Sequence, residues 1–431
     1  MRRRPIGRLL AAEEHNWRER LMVRGAVATA LLIPLAAVFA HRAYAPILLG
    51  MGVVAGLGRA PWRRLVQGVA APITLKRPAT AMILAVAGFV LWIALSLIWS
   101  PAPAAERFAG VALAVLATSL VAADLLARRA RDIRFIAWTY ISAAVLGTAL
   151  LFFEAESGGY LRLITPPPDP TYGRYDDIAE LGRGLTALLP GVFPALAMIV
   201  LFAGRRRRWA RWMLLALAAA LPCALFRATF SFTIASNSVA IVAAAGCGLI
   251  AYLFPRRAVA ALLAAYLVAL VGAPLLAVLP ADAIAARAGE ILPLSWAQRL
   301  FIWRETGLAA LHCLPFGCGA DYARAAFASG IPSETGPPLT PLHPHNVFLQ
   351  LWLELGLVGV ALIAIALIAG GAMLRRAHPG RIVTAGAVGA GAAVFVLAFV
   401  EMSVWQEWRL ASIGMAVIGG AIAYRLEKDA A

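Results

Sequence analysis

The sequence predicts an all-α protein that crosses a membrane about twelve times. Hydrophobic residues make up 62% of the chain, charged residues only 14%, and the mean hydropathy is +0.80. Soluble domains average roughly 45–50% apolar and about 25% charged residues, so a water-soluble enzyme is excluded. In addition, apolar runs of about 20 residues, the length that crosses a bilayer core of roughly 30 Å, recur between short arginine-rich breaks.

The N-terminal segment is too long and too charged to be the start of a secretory signal, so the first apolar run is predicted to be a retained span. The second run is short and glycine-rich, which indicates a tilted or partly re-entrant helix. The predicted spans are 21–40, 43–58, 79–99, 108–127, 133–153, 185–203, 209–226, 233–253, 258–279, 346–374, 382–400 and 404–424.

The chain is thereby divided into five segments. They are a cytoplasmic segment (1–20), helices one to nine (21–279) with an outer loop near 154–184, a large periplasmic loop between helices nine and ten (280–345), helices ten to twelve (346–424) and a cytoplasmic tail (425–431).

The basic residues give this arrangement its orientation. The net charge is +17, which in a soluble chain would suggest nucleic acid as a partner. Here 28 of the 39 Lys and Arg residues lie in the termini and in every second break, and 11 lie in the other breaks. Because basic residues accumulate on the cytoplasmic side, both termini are predicted to be cytoplasmic and the two long breaks periplasmic, with no nucleic-acid partner.

The second long break contains three features that the helical pattern does not explain. SWAQRLFIWRETGLAALH is predicted to form an amphipathic helix, and SETGPPLTPLHP an irregular loop. Cys313 and Cys318 could pair if the segment faces an oxidising compartment, although their short spacing leaves a free pair open.

A short motif marks the start of the tenth predicted helix. His345 and Asn346 lie at its outer mouth, and nine residues later Gly356-x-x-Gly359-Val360 follows about three turns into the helix. Small residues at this spacing allow a neighbouring helix to approach closely, so Gly356 and Gly359 are predicted to be helix-packing residues. The His-Asn pair is then held on a rigid helix end.

This motif resembles that of the O-antigen ligases of Gram-negative bacteria, within a superfamily of ligases and polymerases that act on polyprenyl-diphosphate-linked glycans. Gln298-Arg299, Trp303 and the segment 314–319 are similar to the family's outer loop. The resemblance implies transfer of an O-antigen polysaccharide from undecaprenyl diphosphate to a sugar hydroxyl of lipid A-core. It implies a site on the periplasmic face of the inner membrane, membrane lipids as partners, and no metal or other cofactor.

The implied reaction assigns roles to individual residues. An imidazole with a pKa near 6.5 can remove a hydroxyl proton at neutral pH, so His345 is the predicted general base. A leaving diphosphate calls for bidentate, permanently charged donors, and Arg299 is the first candidate. His343 and Asn346 complete the predicted substrate-binding residues near the base.

The resemblance also implies a second arginine on an outer helix end, roughly seventy residues before Arg299. Arg227 lies at about that separation. Many relatives have a Ser-Arg pair at the head of the eighth helix, where this chain has Ser236-Asn237-Ser238. The second diphosphate-binding residue is therefore predicted to be either Arg227 or Arg183.

Each assignment has a simpler alternative. His345 could cap the helix beside Asn346, and His343 with His345 could bind a metal, although no carboxylate or cysteine is close in sequence. Arg299 and Arg304 could contact lipid headgroups, and Arg227 could extend to the interface.

Two further sets of residues have structural interpretations. Glu354 lies inside a span, so it is expected to face a cavity or a hydrogen-bonding partner. Four tryptophans are predicted to be interfacial anchors; these are Trp296, Trp303, Trp405 and Trp408.

Three other functions remain open from the sequence. An O-antigen polymerase or a protein O-oligosaccharyltransferase of the same superfamily would use similar chemistry on a different acceptor. A transporter of lipid-linked glycans would also suit twelve spans, but transporters usually have functional polar groups near the membrane midplane, whereas the notable polar residues here concentrate on one face.

Overall fold

The computed structural model describes residues 6–70, 77–165, 174–232, 234–278, 283–284, 287, 294–330 and 343–429, and this part of the chain contains helices and no strand. Most of the predicted SETGPPLTPLHP loop lies outside it. The helices are α1 (Ile6–Phe39), α2 (Tyr44–Gly56), α3 (Arg59–Ala70), α4 (Pro78–Ser96), α5 (Ala105–Leu125), α6 (Ala130–Ser157), α7 (Tyr160–Ile164), α8 (Arg174–Ala203), α9 (Arg208–Thr229), α10 (Ser236–Leu253), α11 (Pro255–Gly272), α12 (Leu294–His312), α13 (Tyr322–Ala328), α14 (Val347–Ala377), α15 (Arg381–Val400) and α16 (Glu407–Lys428).

Eleven helices in the described ranges are long and apolar enough to cross a membrane. A twelfth span is added if the bent pair His41–Gly56 and Ala60–Val66, whose axes meet at 91°, is taken as one. The predicted number of spans and the irregular second span agree with this architecture. The predicted amphipathic segment forms α12, which follows α11 and precedes the span α14.

The segment near 154–184, which was predicted to be an outer loop, is helical over part of its length. Helix α6 continues to Ser157 and ends at Gly158, whose left-handed φ of 69° is typical of a helix C-cap. Helix α8 already begins at Arg174, eleven residues before the predicted span. Its first turns contain charged residues that a hydropathy window rejects, but Asp177 is paired with Arg162 at 2.7 Å. This pairing lowers the cost of placing the Asp177 carboxylate at the start of the helix.

The helices alternate in direction, so the ends of several distant segments meet on one side of the bundle. Helix α10 packs against α15, α14 against α4, and α8 against both α15 and α16. The starts of α8, α10, α14 and α16 and the ends of α9 and α15 therefore share one end of the bundle. We call it the His345 end, because His345 immediately precedes α14.

Helix α14 is broken at Gly356, which has φ 61° and ψ −160°. The break frees backbone groups that an intact helix would pair internally. The carbonyls of Leu353 and Glu354 accept hydrogen bonds from the amides of Cys318 and Gly319, at 2.8 and 3.0 Å. The amide of Leu357 donates to the carbonyl of Pro315 at 2.8 Å. A loop is thus attached to the helix at its break.

The two glycines of the motif have different neighbours. A Cβ added to Gly356 would lie 2.3 Å from the Pro315 carbonyl oxygen, and one added to Gly359 would lie 2.5 Å from the Cβ of Leu355. The segment that packs closely against Gly356 is therefore the 315–317 loop. The sequence had predicted that a neighbouring helix would pack there. Within this loop Cys313 and Cys318 form a disulfide with a Cα–Cα distance of 5.2 Å, so the paired alternative is the one observed.

Candidate functional site

Asn346 fixes where α14 begins and hence where His345 lies. Its side-chain oxygen accepts a hydrogen bond from the amide of Leu349 at 3.1 Å, which is the usual geometry of an N-cap. Asn346 is fully buried. The capping role that the sequence left open for His345 thus belongs to Asn346, and His345 stands just outside the helix with a left-handed φ of 55°.

The segment before the helix is held by a tryptophan and by a second histidine. The indole N–H of Trp303, on α12, donates to the carbonyl of Pro344 at 3.1 Å. The amide of His345 donates to Nδ1 of His343 at 3.2 Å, and the two rings lie 4.3 Å apart. His343 therefore orients the backbone of His345. Among the described residues no group of three or more His, Cys, Asp or Glu side chains could hold a metal ion.

The surroundings of His345 hold its imidazole neutral. Burial lowers its pKa first, the charges of Arg299 and Arg409 lower it further, and Glu401 opposes them, with a resulting pKa of about 4. The pKa of His343 is also lowered, by burial and then by His345. One hydrogen bond links the His345 ring to the backbone of Glu401, and Nδ1 has no hydrogen-bond partner in the described structure. A neutral imidazole keeps a lone pair on one nitrogen, so it can accept a proton.

Arg299 lies on α12 next to this histidine. Its charge lowers the pKa of both His343 and His345. Burial lowers the pKa of Arg299 itself, although Glu401 opposes that shift. The guanidinium carbon lies 5.8 Å from the centre of the Trp296 ring. The structure thus brings Arg299 close enough to His343 and His345 for its charge to act on both.

Glu401 and Arg409 are also part of this cluster, and the sequence analysis did not identify either. Both are buried, and one oxygen of the Glu401 carboxylate accepts a hydrogen bond from Nη2 of Arg409. The other oxygen accepts a hydrogen bond from the Ser236 hydroxyl at the start of α10. Burial alone would raise the pKa of Glu401, but Arg409, Ser236 and His345 lower it below its ordinary value. In the sequence, the only indication of this pair was that two opposite charges flank the short turn between α15 and α16. This turn lies on the same side of the predicted membrane as His345.

The two alternatives for a second diphosphate-binding arginine have other partners. Arg227 is half-exposed and lies 3.0 Å from Glu156. Arg183 is partly exposed and is bonded to Glu180, three residues earlier on α8. Both residues are at the His345 end, but the principal charges acting on His345 are those of Arg299, Glu401 and Arg409.

Glu354 and three of the tryptophans have structural roles within the protein. The Glu354 carboxylate accepts hydrogen bonds from the Asp321 amide at 2.9 Å and from Gln350 Nε2 at 3.1 Å, and also from the Trp405 indole. The expectation of a hydrogen-bonding partner for Glu354 is therefore confirmed. The predicted interfacial position is wrong for Trp303, Trp405 and Trp408, because all three are buried.

The fold and the site together define a polytopic helical membrane protein with a histidine–arginine cluster at one end of its bundle. Residues 223–364 match the sequence profile of a known family, O-antigen ligase. This part of the chain is therefore similar to the O-antigen ligase family, the family that the His345 motif indicated. It extends from α9 to the middle of α14 and includes Arg299, His343 and His345. No curated protein and no solved structure gave a significant match.

Proposed function

We propose that the chain is a glycosyltransferase that moves an O-antigen polysaccharide from undecaprenyl diphosphate to a sugar hydroxyl of lipid A-core. In this proposal the site faces the periplasm at the inner membrane and needs no metal, because guanidinium groups supply the positive charge. The acceptor oxygen attacks the anomeric carbon, His345 takes the hydroxyl proton, and the bond to the diphosphate breaks. The diphosphate leaves on its lipid.

The observation that carries the proposal is a neutral, preorganised histidine beside permanent positive charge. A general base must be unprotonated before it reacts, and the pKa of about 4 keeps His345 in that form at neutral pH. A leaving diphosphate gains negative charge in the transition state, and a partly buried arginine such as Arg299 stabilises it better than a fully exposed cation does. The disulfide between Cys313 and Cys318 supports an oxidising compartment for this end of the bundle.

The proposal is tested with purified protein, a lipid-linked glycan donor and lipid A-core as acceptor. His345→Ala is expected to lower the transfer rate by roughly 10²–10⁴, and to leave donor binding within about twofold. His345→Asn is the better variant, because His345 has φ 55° and asparagine adopts this conformation more readily than alanine. His378→Asn is the matched control, since His378 has φ 47° at the other end of α14.

The acceptor distinguishes the proposed ligase from its relatives. Extension of one lipid-linked glycan by another, with no transfer to lipid A-core, would identify a polymerase. Near-normal transfer by a folded His345→Asn protein would remove His345 from the mechanism. Movement of fluorescent lipid-linked glycan across protein-containing vesicles, without any transfer, would identify a transporter.

A further inference from the structure

We propose that Arg409, held by Glu401, binds the donor diphosphate together with Arg299, and that Glu401 is the positioning residue for both Arg409 and His345. This inference rests on the proposed function, because it assumes a diphosphate donor. It adds to the site a pair of residues from α16 and the preceding turn, both beyond the part of the chain that matches the family.

The first argument is the unused donors of Arg409. Its side chain is 5% exposed, and the ion pair with Glu401 uses Nη2 only. Nε and Nη1 are buried and have no hydrogen-bond partner among the described residues. Buried donors without partners are costly and therefore rare. A bound anion at this place would satisfy them.

The second argument is position. The charges of Arg299 and Arg409 both act on His343 and on His345, although the two arginines come from different helices. A diphosphate has two phosphoryl groups, and each can be bound by one guanidinium fork. Two arginines converging on the proposed base suit the leaving group of the reaction that this base would assist.

The third argument concerns Glu401, which would have no place in a site built only to bind an anion. Its carboxylate is shared between Arg409 and the Ser236 hydroxyl, and its backbone is hydrogen-bonded to the His345 ring. Glu401 therefore fixes both groups relative to each other. The neighbouring Asn237 bonds elsewhere, because its amide nitrogen donates to the Gly182 carbonyl at 3.0 Å and its side-chain oxygen accepts from the Thr186 hydroxyl at 2.9 Å.

The test measures binding of farnesyl diphosphate, with farnesyl monophosphate as the comparison, to the full-length protein in detergent. Arg409→Lys keeps the charge but loses the fork of donors, so we expect its Kd for the diphosphate to rise at least tenfold and that for the monophosphate to rise less. Arg299→Lys should behave in the same way. Arg425→Lys, at the opposite end of α16, is the matched control and should bind like the wild type.

A second variant separates the ligand-binding role from a structural ion pair. Removing Arg409 alone leaves Glu401 buried and unpaired, which can prevent folding. The double variant Arg409→Met with Glu401→Gln removes both charges, so it should fold and still lose diphosphate affinity at least tenfold. Diphosphate affinity equal to the wild type in this double variant, or in folded Arg409→Lys, would overturn the inference while leaving the proposed function intact.

The single variant Glu401→Gln tests the positioning role through a different readout. It should bind farnesyl diphosphate more weakly than the wild type, because Arg409 loses the carboxylate that positions it. Loss of Glu401 lowers the pKa of His345, so the acidic limb of the pH–rate profile should move to lower pH while the plateau rate falls. An unchanged profile would exclude Glu401 as the positioning residue. If the wild type neither binds farnesyl diphosphate nor transfers glycan, the proposed function itself fails.

Discussion

At the scale of single residues, the site controls the protonation of His345 before any substrate arrives. The positive charges of Arg299 and Arg409 disfavour the imidazolium ion, whereas the carboxylate of Glu401 and its backbone hydrogen bond to the ring favour it. A bound diphosphate would neutralise the two arginines and would make the imidazolium ion easier to form. The same charges that bind the donor thus determine how strong a base His345 becomes.

This coupling predicts two different pH dependences for one enzyme. At limiting donor the rate reports the free enzyme, so its acidic limb should lie near pH 4, where His345 becomes protonated, rather than near 6.5. At saturating donor and limiting acceptor the limb should lie at higher pH, because the bound diphosphate raises the pKa of His345. Initial rates measured in both regimes test this, with intrinsic tryptophan fluorescence as the control for folding. Acidic limbs at the same pH in both regimes would show that the bound diphosphate does not change the pKa of His345.

At the scale of elements, the break in α14 separates two functions within one helix. The part before Gly356 supports His345 through the Asn346 cap. It also contains Glu354, whose carboxylate accepts several hydrogen bonds; we call this group of hydrogen bonds the Glu354 node. The part after Gly356 continues as a regular apolar span. The Pro315 loop is held at the break, and Trp92 on α4 donates to the freed carbonyl of Leu355 at 2.8 Å. The break is therefore a junction that positions the site.

Gly356→Ala tests this junction. The φ of 61° with ψ of −160° is a conformation that essentially only glycine adopts, at a cost of order 1–3 kcal/mol for other residues. The added Cβ would also overlap the Pro315 carbonyl oxygen. We expect a melting temperature several degrees lower in detergent and a reduced transfer rate. Gly246→Ala on α10 is the control, because its Cβ would meet no atom within 4 Å. Equal melting temperatures of the two variants would contradict the role of Gly356 in holding the loop to α14.

The elements also indicate how far the sequence could predict the site. Hydropathy located the spans, and the motif located His345 and Asn346 at a helix start, because both signals are local. The break at Gly356 was missed because two glycines at this spacing are equally typical of close helix packing. Glu401 and Arg409 were missed because a charge at the end of an apolar run looks the same whether it faces a lipid headgroup or the protein interior. Only the packing of α10, α15 and α16 distinguishes these cases.

At the scale of the whole molecule, the alternation of helices agrees with the arginine distribution. The breaks that are rich in basic residues lie at the end opposite to His345, as at Arg205–Arg208 between α8 and α9. The positive-inside rule predicts that this end faces the cytoplasm. The protein is thus expected to present its site to the periplasm.

Impermeant maleimide labelling tests this orientation. A cysteine at Ser333 in a Cys223→Ser, Cys247→Ser background should be labelled in cells whose outer membrane alone is permeabilised. The Cys313–Cys318 disulfide leaves no competing free thiol in this background. Arg206→Cys, at the opposite end of the bundle, is the control and should react only after the inner membrane is opened. Labelling of Ser333→Cys only in lysed cells would show that the orientation is the opposite of the one expected.

The hydrogen bonds of Glu354 also determine when this part of the fold can form during synthesis, because they join segments that lie before and after it in the chain. Its partners are contributed by the 321–323 turn and by Trp405, which lies 51 residues after Glu354 in the sequence. Until Trp405 has left the ribosome, Glu354 is a membrane-embedded carboxylate that lacks one of its donors, and such a group is unfavourable in a bilayer. The site can therefore be completed only after Trp405 has been synthesised, and a nascent chain that stops before Trp405 carries an unfinished set of hydrogen bonds near the start of α14.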